Sequence, residues 1–143
     1  MKTKLLLLIA FLGFGMAIAQ NPTISINNVQ VVEGNTAVFT ISLSAVSPIP
    51  TIISCSTISQ TNFQDFIPVV ATTVTIPAGQ LTATVVVQTI EDVLGCEFNE
   101  NFILTGAITL GNTSNIDISG TGTIVDNDGT NFYNYKCNSP RRE

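Results

Sequence analysis

The sequence predicts an all-β protein, an immunoglobulin-like antiparallel β-sandwich of about seven strands. Residues 20–128 are rich in Thr, Val, Ile and Ser that alternate with a period of two, and Gly, Pro and Asn turns interrupt the alternation. No segment of this part shows the periodicity of a helix. Seven short strands of this kind suit an immunoglobulin-like sandwich.

Each candidate strand has its own local pattern. Residues 38–44 put Phe39, Ile41 and Leu43 on one face and small polar groups on the other, as a half-buried antiparallel strand requires. Residues 77–80 predict a turn, because Pro presets φ and Gly permits a positive φ. The candidate strands cover residues 23–27, 37–43, 51–57, 72–76, 82–90, 101–106 and 116–125.

The first nineteen residues, 1–19, have the features of a signal peptide. Lys2 and Lys4 supply positive charge, residues 5–14 are apolar, and residues 17–19 form a small-residue cleavage signature. We expect export to a secreted or cell-surface location, with Gln20 as the mature N-terminus. The apolar run is shorter than the roughly 20 residues of a membrane-spanning helix, so we expect no membrane-spanning segment in the mature chain.

The remaining chain is acidic and suits one domain, residues 22–128, followed by a C-terminal tail, residues 129–143. Removal of Lys2 and Lys4 shifts the formal net charge from -5 to about -7. The three remaining basic residues, Lys136, Arg141 and Arg142, all lie in the tail. Nucleic acid and anionic lipid are therefore excluded as expected partners, because binding to either begins with clustered Lys and Arg.

Eight of the nine carboxylates between Pro22 and Gly129 fall in four clusters beside apolar strand-like runs, and this stretch has no Lys, Arg or His. Two carboxylates about 4 Å apart repel by roughly 4 kcal/mol at an effective dielectric near 20. A bound divalent cation would relieve that repulsion. The ninth acid, Asp117, is expected to be an ordinary surface residue. The clusters are Glu33, then Asp65, then Glu91, Asp92, Glu97 and Glu100, and finally Asp126 with Asp128.

Several short motifs occur in an order that resembles one known family. They are residues 32–34 followed by 39–44, Asp65-Phe66, residues 76–80, residues 90–92 followed by 97–102, and residues 124–128. Together they resemble the Calx-beta domain, an immunoglobulin-like calcium-binding module. That family is named after the regulatory domains of the sodium/calcium exchanger and is also found in integrin β4 and bacterial surface proteins. The resemblance covers about residues 22 to 128.

The resemblance implies a calcium site at one end of the sandwich. Ca²⁺ takes 6 to 8 oxygen ligands at roughly 2.3 to 2.6 Å in flexible geometry, whereas zinc or copper would prefer nitrogen or sulfur. Three features differ from the family pattern: Glu91 replaces an Asp, the spacer over residues 93–96 is one residue longer, and Asn127 supplies at most a neutral oxygen. The implied ligands are Glu33, Asp65, Glu91, Asp92, Glu97, Glu100, Asp126 and Asp128.

The three cysteines leave one unpaired if two of them form a bridge. Cys55 follows Ile53 with strand spacing, so we expect a buried free thiol there. Cys96 lies in the acidic loop and Cys137 follows the last acidic cluster, which suggests a Cys96–Cys137 disulfide as a hypothesis. Such a bridge would close a loop of about 40 residues and contribute about 3 to 4 kcal/mol.

Catalysis has little support in the sequence, which has no His, no nucleophile elbow, no phosphate loop and no zinc motif. We therefore expect no enzyme. Phe63, Phe66, Phe98 and Phe102 are expected to be core or loop-anchoring residues. The leading hypothesis is a secreted or surface-displayed calcium-binding module for adhesion or spacing, with calcium ions and another surface protein or glycan as partners. The alternative is a calcium-independent structural or adhesive module. In one version of this alternative, the chain is a fragment of a larger surface protein.

Overall fold

The structure, a computed structural model, describes residues 20–60, 65–93 and 98–128. These residues form eight β-strands in two sheets, which confirms the predicted all-β sandwich. Within these residues there is no helix of sufficient length and hydrophobicity to span a bilayer. The strands are β1 (Ile24–Ile26), β2 (Val29–Val32), β3 (Thr36–Leu43), β4 (Thr51–Ser59), β5 (Thr72–Ile76), β6 (Thr82–Gln88), β7 (Glu100–Leu110) and β8 (Asp117–Val125).

The smaller sheet has the strand order β1-β3-β6, and the larger sheet has the order β2-β8-β7-β4-β5. Neighbouring strands are antiparallel with one exception: β2 runs parallel to β8. The parallel register pairs Val32 with Val125, the last residues of the two strands. The residues that follow, Glu33 and Asp126, therefore leave the sheet side by side.

Alternating side chains from both sheets form the core. Phe39 of β3 and Phe102 of β7 are fully buried and meet edge to face, with ring centroids 5.7 Å apart. Phe66 stacks on the other side of Phe102 at 4.5 Å. Full burial of one such side chain stabilises the fold by about 1.5 to 3 kcal/mol, so these rings fix how the two sheets pack.

Other predictions for aromatic and cysteine residues have mixed outcomes. Cys55 is a fully buried free thiol, as expected, and burial raises its pKa. Phe98 is 85% exposed, so the expectation that it anchors the core or a loop is wrong. Phe63 lies outside the described residues.

Two asparagines fix the point where the chain switches from the smaller sheet to the larger one. The Asn27 side-chain oxygen accepts a hydrogen bond from the backbone N–H of Thr40 at 2.6 Å, and the Asn28 side-chain oxygen accepts one from the backbone N–H of Thr121 at 2.9 Å. Each asparagine thus binds a different sheet. Gly120 allows this close approach, because a Cβ atom there would collide with the Asn27 carbonyl.

The strand boundaries differ from the predicted ones by more than one residue at four places. β2 is an additional strand, β4 continues to Ser59, β7 continues past Gly106 to Leu110, and β6 ends at Gln88. The predicted turn over residues 77–80 is present: the Gln80 N–H donates to the Pro77 carbonyl at 3.0 Å, and Gly79 has a φ of 78°. The predicted signal peptide and the tail lie outside the described residues.

Candidate metal centre

Three carboxylates meet where β2 and β8 end. Glu33 follows β2, while Asp126 and Asp128 follow β8. One oxygen atom from each of these three side chains lies within 4.8 Å of the other two. Three of the eight predicted site residues therefore form one group, which we call the acidic cluster.

Backbone hydrogen bonds fix the acidic cluster. The Glu33 N–H donates to the Val125 carbonyl at 3.1 Å, which extends the pairing of β2 and β8 by one residue. The Asn127 N–H donates to Glu33 Oε1 at 3.3 Å, and the Asp128 N–H donates to Asp126 Oδ1 at 2.8 Å. The three carboxylates are thus fixed to the ends of two paired strands.

Burial and charge both disfavour ionisation of the acidic cluster. Glu33 is only 3% exposed, and desolvation raises its pKa, with Asp126, Asp128 and Asp92 adding to the rise and the Asn127 N–H opposing it. Desolvation also raises the pKa of Asp128, and repulsion from Asp126, Glu91 and Asp92 adds to it. The Oδ2 atom of Asp128 is buried and has no hydrogen-bond partner among the residues that the structure describes. A buried polar oxygen without a partner costs free energy, and the described part of the chain has no Lys, Arg or His to balance the acidic cluster.

Glu91 lies beside the acidic cluster, where it contacts Asn127 and Gly34. The sequence did not predict these two contacts. The Asn127 side-chain nitrogen lies 3.4 Å from each Glu91 carboxylate oxygen. Asn127 was expected to offer an oxygen, but in this structure its amide donates. Gly34 has a φ of 74°, and a Cβ atom there would collide with the Glu91 carboxylate. The Gly after Glu33 was the available sequence signal for this close approach.

Of the other predicted ligands, Asp92 and Asp65 lie at the same end of the sandwich. The charge of Asp92 acts on both Glu33 and Asp128. The Asp65 carbonyl accepts a hydrogen bond from the Ile90 N–H at 2.7 Å, which places Asp65 beside the segment that carries Glu91 and Asp92. The carboxylates of Asp65, Glu91 and Asp92 are not in the group of three.

Glu100 opens β7 opposite Ile124, one strand away from the residues that lead into the acidic cluster. Glu97 lies outside the described residues, and so do Cys96 and Cys137, so their proposed disulfide stays a prediction.

Asp117 is exposed at the opposite end of β8, about 30 Å from Asp126 at the usual rise per strand residue. It borders an open pocket of about 540 Å³ on the outer face of the larger sheet, lined also by Ser54, Ser56 and Thr105. This pocket is separate from the acidic cluster.

Comparison with known proteins supports the fold through structure alone. No family model and no curated protein matches the sequence. The solved structure described as "CBD12 from CALX1.2" matches with a TM-score of 0.57 and 14% identity, covering 73% of this chain and 46% of that one. The "Apo-form Calx CBD1 domain" matches with a TM-score of 0.56 and 14% identity, covering 74% of this chain and 99% of that one. The chain thus spans about half of the first structure and nearly all of the second, and the protein has a Calx-beta-like fold.

Proposed function

We propose that the protein is a calcium-binding β-sandwich module and that Glu33, Asp126 and Asp128 form the centre of its ion site. The observation that carries the proposal is the approach of three carboxylate oxygens to within 4.8 Å of one another. No Lys, Arg or His occurs between Pro22 and Gly129 to balance them.

The residues present fit a hard cation. The Asp128 Oδ2 atom is buried and finds no partner within residues 20–60, 65–93 and 98–128, and Glu33 is almost fully buried beside two other acids. The available donors are oxygens, which Ca²⁺ prefers, and carboxylates on loop ends suit its flexible geometry. Mg²⁺ demands near-ideal octahedral geometry and gives up its water reluctantly, so it is the weaker candidate.

The other predicted acids complete the proposed site. Glu91 and Asp92 border the acidic cluster on one side, and Asp65 is held next to them by its backbone. Glu97 and Glu100 belong to the proposal through the family resemblance of the segment over residues 97–102. When bound, the ion would supply the positive charge that the acidic cluster lacks.

The proposed role is structural and does not involve catalysis. An ion that binds only the folded state stabilises it by RT ln(1 + [Ca]/Kd), and extracellular modules often bind with Kd values of about 0.1 to 1 mM. We propose that the exported module is loaded outside the cell and stiffens one end of the sandwich for adhesion or for spacing of other domains. The proposed partners beyond calcium are another surface protein or a glycan.

Isothermal titration of the metal-stripped exported chain with calcium tests this proposal. We expect saturable binding that weakens by about tenfold or more in Asp126→Asn/Asp128→Asn, because two of the three central carboxylates lose their charge. Asp117→Asn is the matched control, since it removes one acid of the same strand far from the acidic cluster, and it should leave affinity unchanged. Absence of saturable binding to the parent chain would overturn the proposal and favour a calcium-independent module.

A further inference from the structure

Over part of its length, the outer edge of β6 has backbone groups that pair with none of the described residues. β6 is the longest of the four edge strands, with seven residues against five in β5, four in β2 and three in β1. Its inner side pairs with β3 in regular antiparallel register. An edge strand presents N–H and C=O groups that can pair with another strand.

The hydrogen bonds at both ends of β6 show which of its residues face outward. The Leu43 N–H donates to the Leu81 carbonyl, and the Thr89 N–H donates to the Asn35 carbonyl. Because inward and outward groups alternate along an antiparallel strand, Ala83, Val85 and Val87 also bond to β3. The backbone groups of the alternate residues in between point to the free edge.

A short segment already covers the end of this edge near the acidic cluster. The Ile67 N–H donates to the Gln88 carbonyl at 2.8 Å, and the Ile90 N–H donates to the Asp65 carbonyl at 2.7 Å. The outward backbone groups of Thr82, Thr84 and Val86 have no such cover from the described residues, and all three side chains are exposed. We call these three residues the open edge.

The short edge strand β1 shows how this protein closes an edge. The Ile24 N–H donates to Asn115 Oδ1, and Asn115 Nδ2 donates to the Ile24 carbonyl, both at 2.9 Å. The open edge has no comparable plug within the described residues. It also lacks charged residues, Pro and a bulge, which are the usual devices against strand pairing.

We propose that a second copy of this chain pairs with the open edge, antiparallel and across a two-fold axis at Thr84. The three outward residues are self-complementary: Thr84 lies opposite the Thr84 position of the other copy, and each Thr82 lies opposite a Val86 position. Roughly six backbone hydrogen bonds would form, because each such pair exchanges two. The result is a continuous six-stranded sheet made from the two smaller sheets.

The distribution of charge favours a second copy over the basic tail as the occupant. The open edge carries no charge, so it offers nothing to the Lys136, Arg141 and Arg142 side chains of the tail. In the antiparallel arrangement the acidic ends point away from each other. β6 ends at Gln88, about 13 Å along the strand from the two-fold axis at Thr84, and Glu91 and Asp92 follow it, so the two acidic ends are separated by more than the Debye length of about 8 Å.

Sedimentation of the exported chain over a range of concentrations tests the proposal. One strand pair buries less surface than a standard interface of about 1,600 Å², so dimers are expected only near about 0.1 to 1 mM. Thr84→Glu would place two like charges opposite each other, and Thr84→Pro would remove an outward N–H without removing a bond to β3. Each should weaken association about tenfold or more. A chain that stays monomeric at about 1 mM would overturn the proposal.

Thr40→Glu is the matched control, because Thr40 pairs with Thr84 on the same outer face but lies one strand away from the edge. It should leave association nearly unchanged, and an equal loss in this variant would contradict pairing at the edge. Thermal unfolding of each variant checks that the sandwich is intact.

Amide hydrogen exchange gives a second test that needs no variant. The amides of Thr82, Thr84 and Val86 should become protected as concentration rises, whereas those of Ala83 and Val85 should be protected throughout. Protection of all five amides at every concentration would overturn the proposal, since it would mean that another part of the same chain covers the edge.

Discussion

Glu33 combines two conditions that oppose each other at the scale of single residues. Its side chain is 3% exposed, yet it lies beside Asp126 and Asp128 with no basic residue in the described part of the chain. Burial of an unbalanced carboxylate is costly, and such a group raises its pKa or binds a cation. Without a metal ion, the pKa of Glu33 rises. Binding of a cation is the alternative response.

The raised pKa values predict how the metal-free protein responds to pH. Glu33 and Asp128 both have a pKa above their ordinary values of 4.5 and 3.8. Above those ordinary values the folded protein keeps protons that the unfolded chain has lost, so the free energy of unfolding falls as pH rises through this window. We expect the metal-free midpoint of thermal unfolding to be higher at about pH 5 than at about pH 7.5.

Two variants give this pH prediction its control. Asp126→Asn/Asp128→Asn should weaken the dependence without abolishing it, because Asp128 no longer titrates and the repulsion on Glu33 is removed while the desolvation of Glu33 stays, whereas Asp117→Asn should keep it. A parent midpoint that rises between pH 5 and pH 7.5 would contradict the assignment of these two groups.

Substitution of Gly34 and of Gly79 by alanine distinguishes the cost of backbone strain from the cost of a steric collision. Both have a positive φ, 74° and 78°, but a Cβ atom on Gly34 would collide with Glu91, whereas one on Gly79 would meet nothing within 4 Å. We expect Gly79→Ala to lower the free energy of unfolding by about 1 to 2 kcal/mol through strain alone. Gly34→Ala should cost more and should also weaken calcium binding. Urea unfolding measures both costs, and equal costs would show that Glu91 does not depend on Gly34.

Strand pairing decides the position of the site at the scale of elements. Glu33 and Asn127 are 94 positions apart in the chain, and the parallel register of β2 with β8 brings them together. The sequence could indicate which acids belong to a site through their clustering and the family resemblance. It could not indicate that Glu33, Asp126 and Asp128 form the central group, because that depends on a long-range register.

Other elements show the same division between local and long-range information. β3 was predictable because its alternation extends over eight residues. β2 was missed because its four residues between Asn28 and Glu33 are too few to show a period. β7 was predicted to stop at Gly106, but β4 and β8 flank it, and Gly106 packs closely against Ile53 and Ile118. The donor role of Asn127 depends on where Glu91 lies, which no local pattern contains.

Gly122 in β8 links the hydrophobic core to the strand that carries Asp126. A Cβ atom at this position would overlap the ring of Phe102, which is fully buried against Phe39 and Phe66. We expect Gly122→Ala to destabilise the fold by about 1 to 3 kcal/mol, as overpacking of a dense core does. Thr121→Ala is the control, since its side chain faces away from that core. Chemical denaturation would contradict this account if both variants lost the same stability.

At the scale of the whole molecule, the acidic cluster lies at one end of the sandwich. Asp117 lies at the opposite end. The acidic end gathers the ends of β2 and β8 with the segments around Asp65 and Glu91, and no basic residue in the described part of the chain balances its charge. Stability of the folded state should therefore be linked to calcium concentration.

Thermal unfolding of the metal-stripped chain over residues 20–143, with calcium raised from micromolar to about ten millimolar and magnesium as the control, tests this linkage most directly. The midpoint should climb with calcium, and the added free energy of unfolding should reach about 2.7 kcal/mol at 100 times Kd. The climb should be much smaller with magnesium and in Asp126→Asn/Asp128→Asn. A midpoint that does not change with calcium would contradict the claim that the acidic cluster is an ion site.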